Sequence, residues 1–131
     1  MNGRVIFKGE VEGEALVSKE PIGFLGGVDP ATGELLEGEN KGQSIKDKIL
    51  VFPTGKGSTV GSYTLYRLKH SGMAPVAIIN EECETITAVG CIISEIPCVD
   101  QVEIGRLETG MLLKVDGENG LVMNLSDQIT I

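Results

Sequence analysis

The sequence holds no tryptophan and a single histidine, His70, and both shortages narrow what the chain can do. With one histidine at the far end of a predicted helix there is no Ser–His–Asp device, and at that place the imidazole complements the helix C-terminal dipole. Positive charge is also scarce: 11 Lys and Arg stand against 19 Asp and Glu, a formal charge of -8, which removes the cations that displace counterions from a phosphate backbone and excludes nucleic acid as a partner. No apolar run approaches the ~20 residues of a membrane span. The opening MNGRVIFKGEVEGE lacks the apolar stretch of a signal peptide, so a cytoplasmic protein is expected.

Cysteine is limited to Cys83, Cys91 and Cys98, an odd set without a secretion signal, which argues against a disulfide framework. No CxxC pair is present, so zinc or iron–sulfur ligation is not expected of this chain and the thiols read as buried and free. Glu81, Glu82 and Glu84 flank Cys83, but no histidine or cysteine pair completes a metal set, and they read as a solvated acidic turn.

What the sequence does have is glycine, 18 in 131 residues, together with 41% hydrophobic residues. That combination predicts one turn-rich compact domain spanning 1–131. Arg4 to Lys8 and Glu14 to Ser18 alternate like an opening β-hairpin, with Gly9 and Gly13 as turn glycines. Lys19 to Asp47 is rich in Gly, Pro and acidic residues and holds no regular element of length. Its Ile22, Phe24, Leu25 and Val28 argue for an ordered loop. KILVFP (48–53) and VAIIN (76–80) are continuous apolar runs, the mark of strands covered on both faces. Between them lies GKGSTVGSYTLYRLKHSG. At 100° per residue Val60, Gly61, Thr64, Leu65 and Leu68 share one face, and Ser62, Tyr66 and Lys69 the other. Gly57 or Ser58 suits the N-cap of this helix and Gly72 its end, which makes a βαβ unit. Thr85 to Cys91 predicts a short helix, IPCVD (96–100) another strand, and MLLKVDGENGLVMNL a closing hairpin.

The turn PTGKGSTVGS could cradle an anion, because glycines let backbone N–H groups converge at the positive end of a helix. It is not a Walker A loop, since Lys56 precedes Gly57 and Ser58 instead of following the second glycine. Ser62, in the first turn of the helix, is placed where a developing oxyanion would be stabilised, as a serine acting as base requires. Simple capping by Ser58 in a tight turn accounts equally well for these residues taken alone.

Taken in order, GEALVSKEPIGFLGGVDPATGE, GQSIKDKILVFPTGKGSTVGSY, PVAIIN and AVGCIISEIPCVD resemble the small subunit of aconitase X-type enzymes, from about Gly13 to Asp100 by motif. The resemblance implies an α/β fold, a swivelling β/β/α domain with a mixed, barrel-like β core and few short helices. In the archaeal branch it implies dehydration of (R)-5-phosphomevalonate to trans-anhydromevalonate 5-phosphate in a mevalonate pathway to isoprenoids. It also implies a large-subunit partner that carries a four-iron four-sulfur cluster, none being bound by this chain. The family's proton acceptor falls at Ser62. Lys56, Gly57, Ser58 and Thr59 would meet the substrate, and the loop at Gly26, Gly27 and Asp29 would lie beside the helix N-terminus or at the partner interface. A bacterial branch dehydrates cis-3-hydroxy-L-proline on the same scaffold, and a non-catalytic binding subunit is a further alternative. Phosphohistidine swivelling domains need a histidine after the turn serine, where STVGSY has none.

Overall fold

The structure, a computed structural model, describes residues 3–56, 60–125 and 129–130. Its centre is parallel: β3 (Ile49–Phe52), β4 (Ala77–Asn80) and β5 (Cys98–Asp100) are buried throughout, as unbroken apolar strands must be when both faces are covered. Ile49 registers with Ala77, and Ile78 with Cys98. The long strand β2 (Glu10–Val17) serves two neighbours, pairing parallel with β3 through Ala15 to Val17 and antiparallel with β6 (Leu112–Asp116) through Glu10 to Glu14. β7 (Leu121–Asn124) and β8 (Ile129–Thr130) extend that side, giving the order β1-β5-β4-β3-β2-β6-β7-β8.

The sheet curls at β2, because Leu113, Val115 and Val122 turn inward onto Val17, Ile49, Val51, Ile79 and Val99 on the back of the parallel strands. The front of those strands, Leu16, Leu50, Phe52, Ile78 and Cys98, packs on Leu65 and Leu68 of α2 (Val60–His70) and Cys91 of α3 (Thr85–Ser94). The result is the expected layering of curled β, parallel β and helices around a mixed, half-barrel core. The closing hairpin also forms as expected, Asp116 facing Leu121. Gly72 ends α2 in a Schellman motif: at φ 77 its N–H reaches the Lys69 carbonyl, and the Met73 N–H reaches Leu68.

The opening hairpin does not form. β1 (Arg4–Phe7) crosses to the far edge and runs antiparallel to β5, with Arg4 opposite Asp100. Arg4 Nε and Nη2 donate to the two oxygens of the buried Asp100 carboxylate at 2.9 and 2.7 Å, and Asp100 Oδ2 also accepts from the Cys83 N–H at 2.9 Å. A buried carboxylate needs such partners, and β3 offers the apolar end of β2 a better neighbour than β1 does. α3 runs three residues beyond the expected Cys91, to Ser94, and stops where Glu95 turns left-handed at φ 55.

Candidate active site

The long loop and the strand-to-helix turn, separate in sequence, are zipped together. The Ile22 N–H donates to the Thr54 carbonyl at 3.2 Å and the Lys56 N–H to the Ile22 carbonyl at 3.0 Å. A Cβ on Gly23 would collide with the Lys56 carbonyl oxygen, so glycine is required there for backbone to meet backbone. Phe24 then turns its ring edge onto Phe52 at the end of β3, centroids 6.0 Å apart. Phe24–Gly27 (α1) is one sharp turn with Leu25 at φ -76, ψ 115 and Gly26 at φ 83, ψ -15, the central angles of a type II turn that asks for glycine second. It brings the Leu25 N–H within 3.9 Å of a Cβ placed on Gly61, in the first turn of α2.

Gly26 is exposed and Gly27 buried beside this junction, while Asp29 is occupied locally, its Oδ1 accepting from the Ala31 N–H at 2.8 Å. Leu25, expected among the loop's buried anchors, faces solvent because the type II turn points it outward. Lys56 is exposed and its Nζ pairs with Glu37 Oε1 at 3.2 Å. Gly57, Ser58 and Thr59, and with them the N-cap, lie outside the described residues.

Ser62 departs from its expected placement on the polar face: it is 7% exposed, whereas Val60, assigned to the apolar face, is 48% exposed. The cause is α3, which packs against the flank of α2. A Cβ on Gly90 would lie 3.3 Å from Ser62 Cα and 3.0 Å from Leu65 Cδ2, so that glycine lets the helices touch at the serine. α2 carries no acidic residue in its first turn and has Arg67, Lys69 and His70 in its last, so no acidic side chain of its own first turn neutralises its N-terminal dipole. The site therefore joins a glycine-bearing turn, the N-terminal end of a helix, a buried serine and an exposed lysine. Gly90 escaped the sequence reading, although an isolated glycine inside an apolar helical pattern signals close packing.

Glu84 is no solvated acid. It caps α3, its carboxylate accepting from the Ile86 N–H at 2.8 Å, the Thr87 N–H at 2.6 Å and the Thr87 hydroxyl at 2.6 Å. The three cysteines gather in the core between sheet and helices, Cys83 and Cys98 with sulfurs 3.9 Å apart. The thiol–thiol hydrogen bond to Cys98 and then burial push the Cys83 thiol up. At Cys98 the bond from Cys83 works downward, but the bond to Cys91 and burial outweigh it and raise the thiol well above its ordinary range. Protonated thiols packed in a closed core do not fit an iron–sulfur cluster, which needs thiolates and room. Among the described residues no group of three or more His, Cys, Asp and Glu is arranged to hold a metal. Replacing Cys83, Cys91 and Cys98 together by alanine is expected to leave the iron content of an assembled enzyme unchanged, at a packing cost of about 1 kcal/mol per site. Metal analysis of the assembled variant together with its melting temperature checks this.

These features define a swivelling-type β/β/α domain with Ser62 buried in the first turn of α2. The aconitase X swivel domain model matches residues 1–124, and the chain belongs to that family. The phosphomevalonate dehydratase small subunit of Thermococcus kodakarensis is 55% identical over 97% of this chain and 97% of its own. The crystal structure of Thermococcus kodakaraensis aconitase X in its holo-form superposes with TM-score 0.93 at 56% identity, covering 95% of this chain and 96% of that one. The 3-isopropylmalate dehydratase of Methanocaldococcus jannaschii, at 15% identity and TM-score 0.68 over 94% of this chain and 80% of that one, shares the fold. No helix among the described residues is long and apolar enough to cross a membrane.

Proposed function

We propose that this chain acts as one swivelling domain, residues 1–131, in the cytoplasm, as the small subunit of a hydro-lyase that dehydrates (R)-5-phosphomevalonate to trans-anhydromevalonate 5-phosphate. The observation that carries this is the likeness along nearly the whole chain to small subunits named for that reaction. Loss of water needs a proton taken from carbon and a hydroxyl released. Ser62 takes the proton on Oγ, where the N-terminal end of α2, with no acidic residue in its own first turn, lowers the cost of the serine anion that makes so weak a base effective. Substrate contact is assigned to Gly57, Ser58 and Thr59 on the family resemblance alone, and the edge of the substrate to the loop at Gly26, Gly27 and Asp29. The described residues of this chain do not fit the cluster, and this reading assigns it to the large subunit, with release of the hydroxyl as the partner's part of the reaction.

Lys56 exchanges Glu37 for the substrate phosphate in this arrangement. A charge-assisted hydrogen bond is worth roughly 1.5–3 kcal/mol, so Lys56→Ala should raise KM for the phosphorylated substrate about 10- to 100-fold with a smaller change in kcat. Steady-state kinetics on the assembled enzyme reads this out, and an unchanged KM removes Lys56 from the phosphate. The function itself is tested by combining the purified chain with its large subunit and following (R)-5-phosphomevalonate by phosphorus and proton NMR. The anhydro product should form only with both subunits present. Turnover of cis-3-hydroxy-L-proline in its place would move the chain to the other branch, and turnover by the small chain alone would end the subunit assignment.

A further inference from the structure

The helix α3 reads TITAVGCIIS, ten residues without a charged side chain, on the outside of the molecule. A helix apolar all round belongs in an interior, so its outer face calls for a cover. Val89, Ile92 and Ile93 are 42%, 49% and 43% exposed. Beside them α2 exposes Val60, Tyr63 and Tyr66. The two helices lie flank to flank, since Gly61 faces Ile86 and Gly90 faces Ser62 and Leu65, and Tyr66 and Ile93 line one shallow groove. Their outward rows therefore adjoin in a largely apolar surface, with Lys69, His70 and Glu95 at the end of the groove near the C-termini of both helices. Elsewhere among the described residues, apart from Leu25, exposed large apolar side chains are scattered: Val5, Leu36 and Leu112 sit on three separate segments. A continuous patch of this kind on a folded domain marks an interaction site.

We propose that the outer face of α2 and α3 is the surface on which the large subunit docks, through an apolar, weakly charged patch of that partner. The inference rests on the small-subunit role given above. Two observations select the large subunit over a second copy. The surface reaches the candidate site at Val60, two residues before Ser62, and the exposed Leu25 belongs to the turn whose backbone lies beside Gly61, so a partner that completes the site also reaches the helices. A second copy would bring together two chains of formal charge -8, which works against self-association.

The test is a Kd for the purified, cluster-loaded large subunit, measured with the parent chain, with Val89→Asp/Ile92→Asp and, as control, with Leu112→Asp on β6. Neither α3 position touches the site, and both point outward, so the melting temperature of the free chain should hold. Two charges set into a desolvated apolar interface should weaken association by about 100-fold or more, the control by less than threefold. Binding of the double variant within threefold of the parent overturns the proposal. So does a parent chain that light scattering shows to be a dimer, made monomeric by the double variant with its Kd for the large subunit unaltered. Association is the readout and turnover is not. A complex that prefers another substrate yet loses binding in the double variant upholds the surface, and one that dehydrates phosphomevalonate with undiminished binding sinks it.

Discussion

Ser62→Ala is expected to lower kcat of the assembled enzyme by about 10³- to 10⁴-fold while leaving the complex intact, because a general base with no neighbouring substitute contributes at the upper end of its usual range. The substitution removes one hydroxyl from a helix position, where alanine is the best helix former, so the cost to stability should stay near 1 kcal/mol. The serine is buried against α3, and alanine leaves that packing in place. Ser58→Ala is the companion variant: on the expectation from the sequence that Gly57 or Ser58 caps the helix, it should cost roughly 1 kcal/mol of stability and only a modest part of the rate. With both variants assayed at saturating substrate, a Ser62→Ala enzyme within tenfold of the parent would remove Ser62 as proton acceptor and place the base on the large subunit.

The second large effect is expected at Gly90, which touches no substrate. Valine there must set its methyl groups beyond a Cβ that already stands 3.0 Å from Leu65 Cδ2 and 3.3 Å from Ser62 Cα, and the second of these is backbone that cannot swing away. Overpacking of this kind costs typically 1–3 kcal/mol, and the helices must part at the serine. A displacement approaching 1 Å at a catalytic group can cost about 10²-fold in rate, so Gly90→Val should lose both melting temperature and kcat, with KM changed less. Gly90→Ala separates the two causes. Its single methyl adds helix propensity of about 1 kcal/mol against a smaller clash, so stability should stay within about 1 kcal/mol of the parent. Unchanged melting and unchanged kcat in the valine variant would show that α2 and α3 are not held together at this point.

Much of the fold was legible because its signals are local. KILVFP and VAIIN are apolar without interruption, which only a strand covered on both faces tolerates, and they became β3 and β4. Gly72 closed α2 and DGENG turned the last hairpin for equally local reasons of backbone conformation. The partner of β1 was not legible, since the Arg4–Asp100 pair that holds it to β5 joins residues 96 positions apart. The helical wheel misplaced Ser62 because it assumed one neighbour, the sheet. α3 supplies a second along the flank, which widens the buried arc of α2 to take in the serine and leaves Val60 outside. Similarly, Glu84 looked like part of an acid run until a helix N-terminus was set against it.

By itself the sequence determined the class of the chain, the parallel strand–turn–helix–strand unit and the two glycine-bearing motifs proposed to carry its chemistry, since each depends on residues close together along the chain. Only the tertiary structure decided that Ile22 of the long loop is zipped to Thr54 and Lys56 of the strand-to-helix turn and that Gly90 presses α3 against Ser62. It also decided that the three cysteines meet in the core. Those outcomes depend on which surfaces meet when the layers close, and that is set by the packing of the whole molecule, which no single segment encodes.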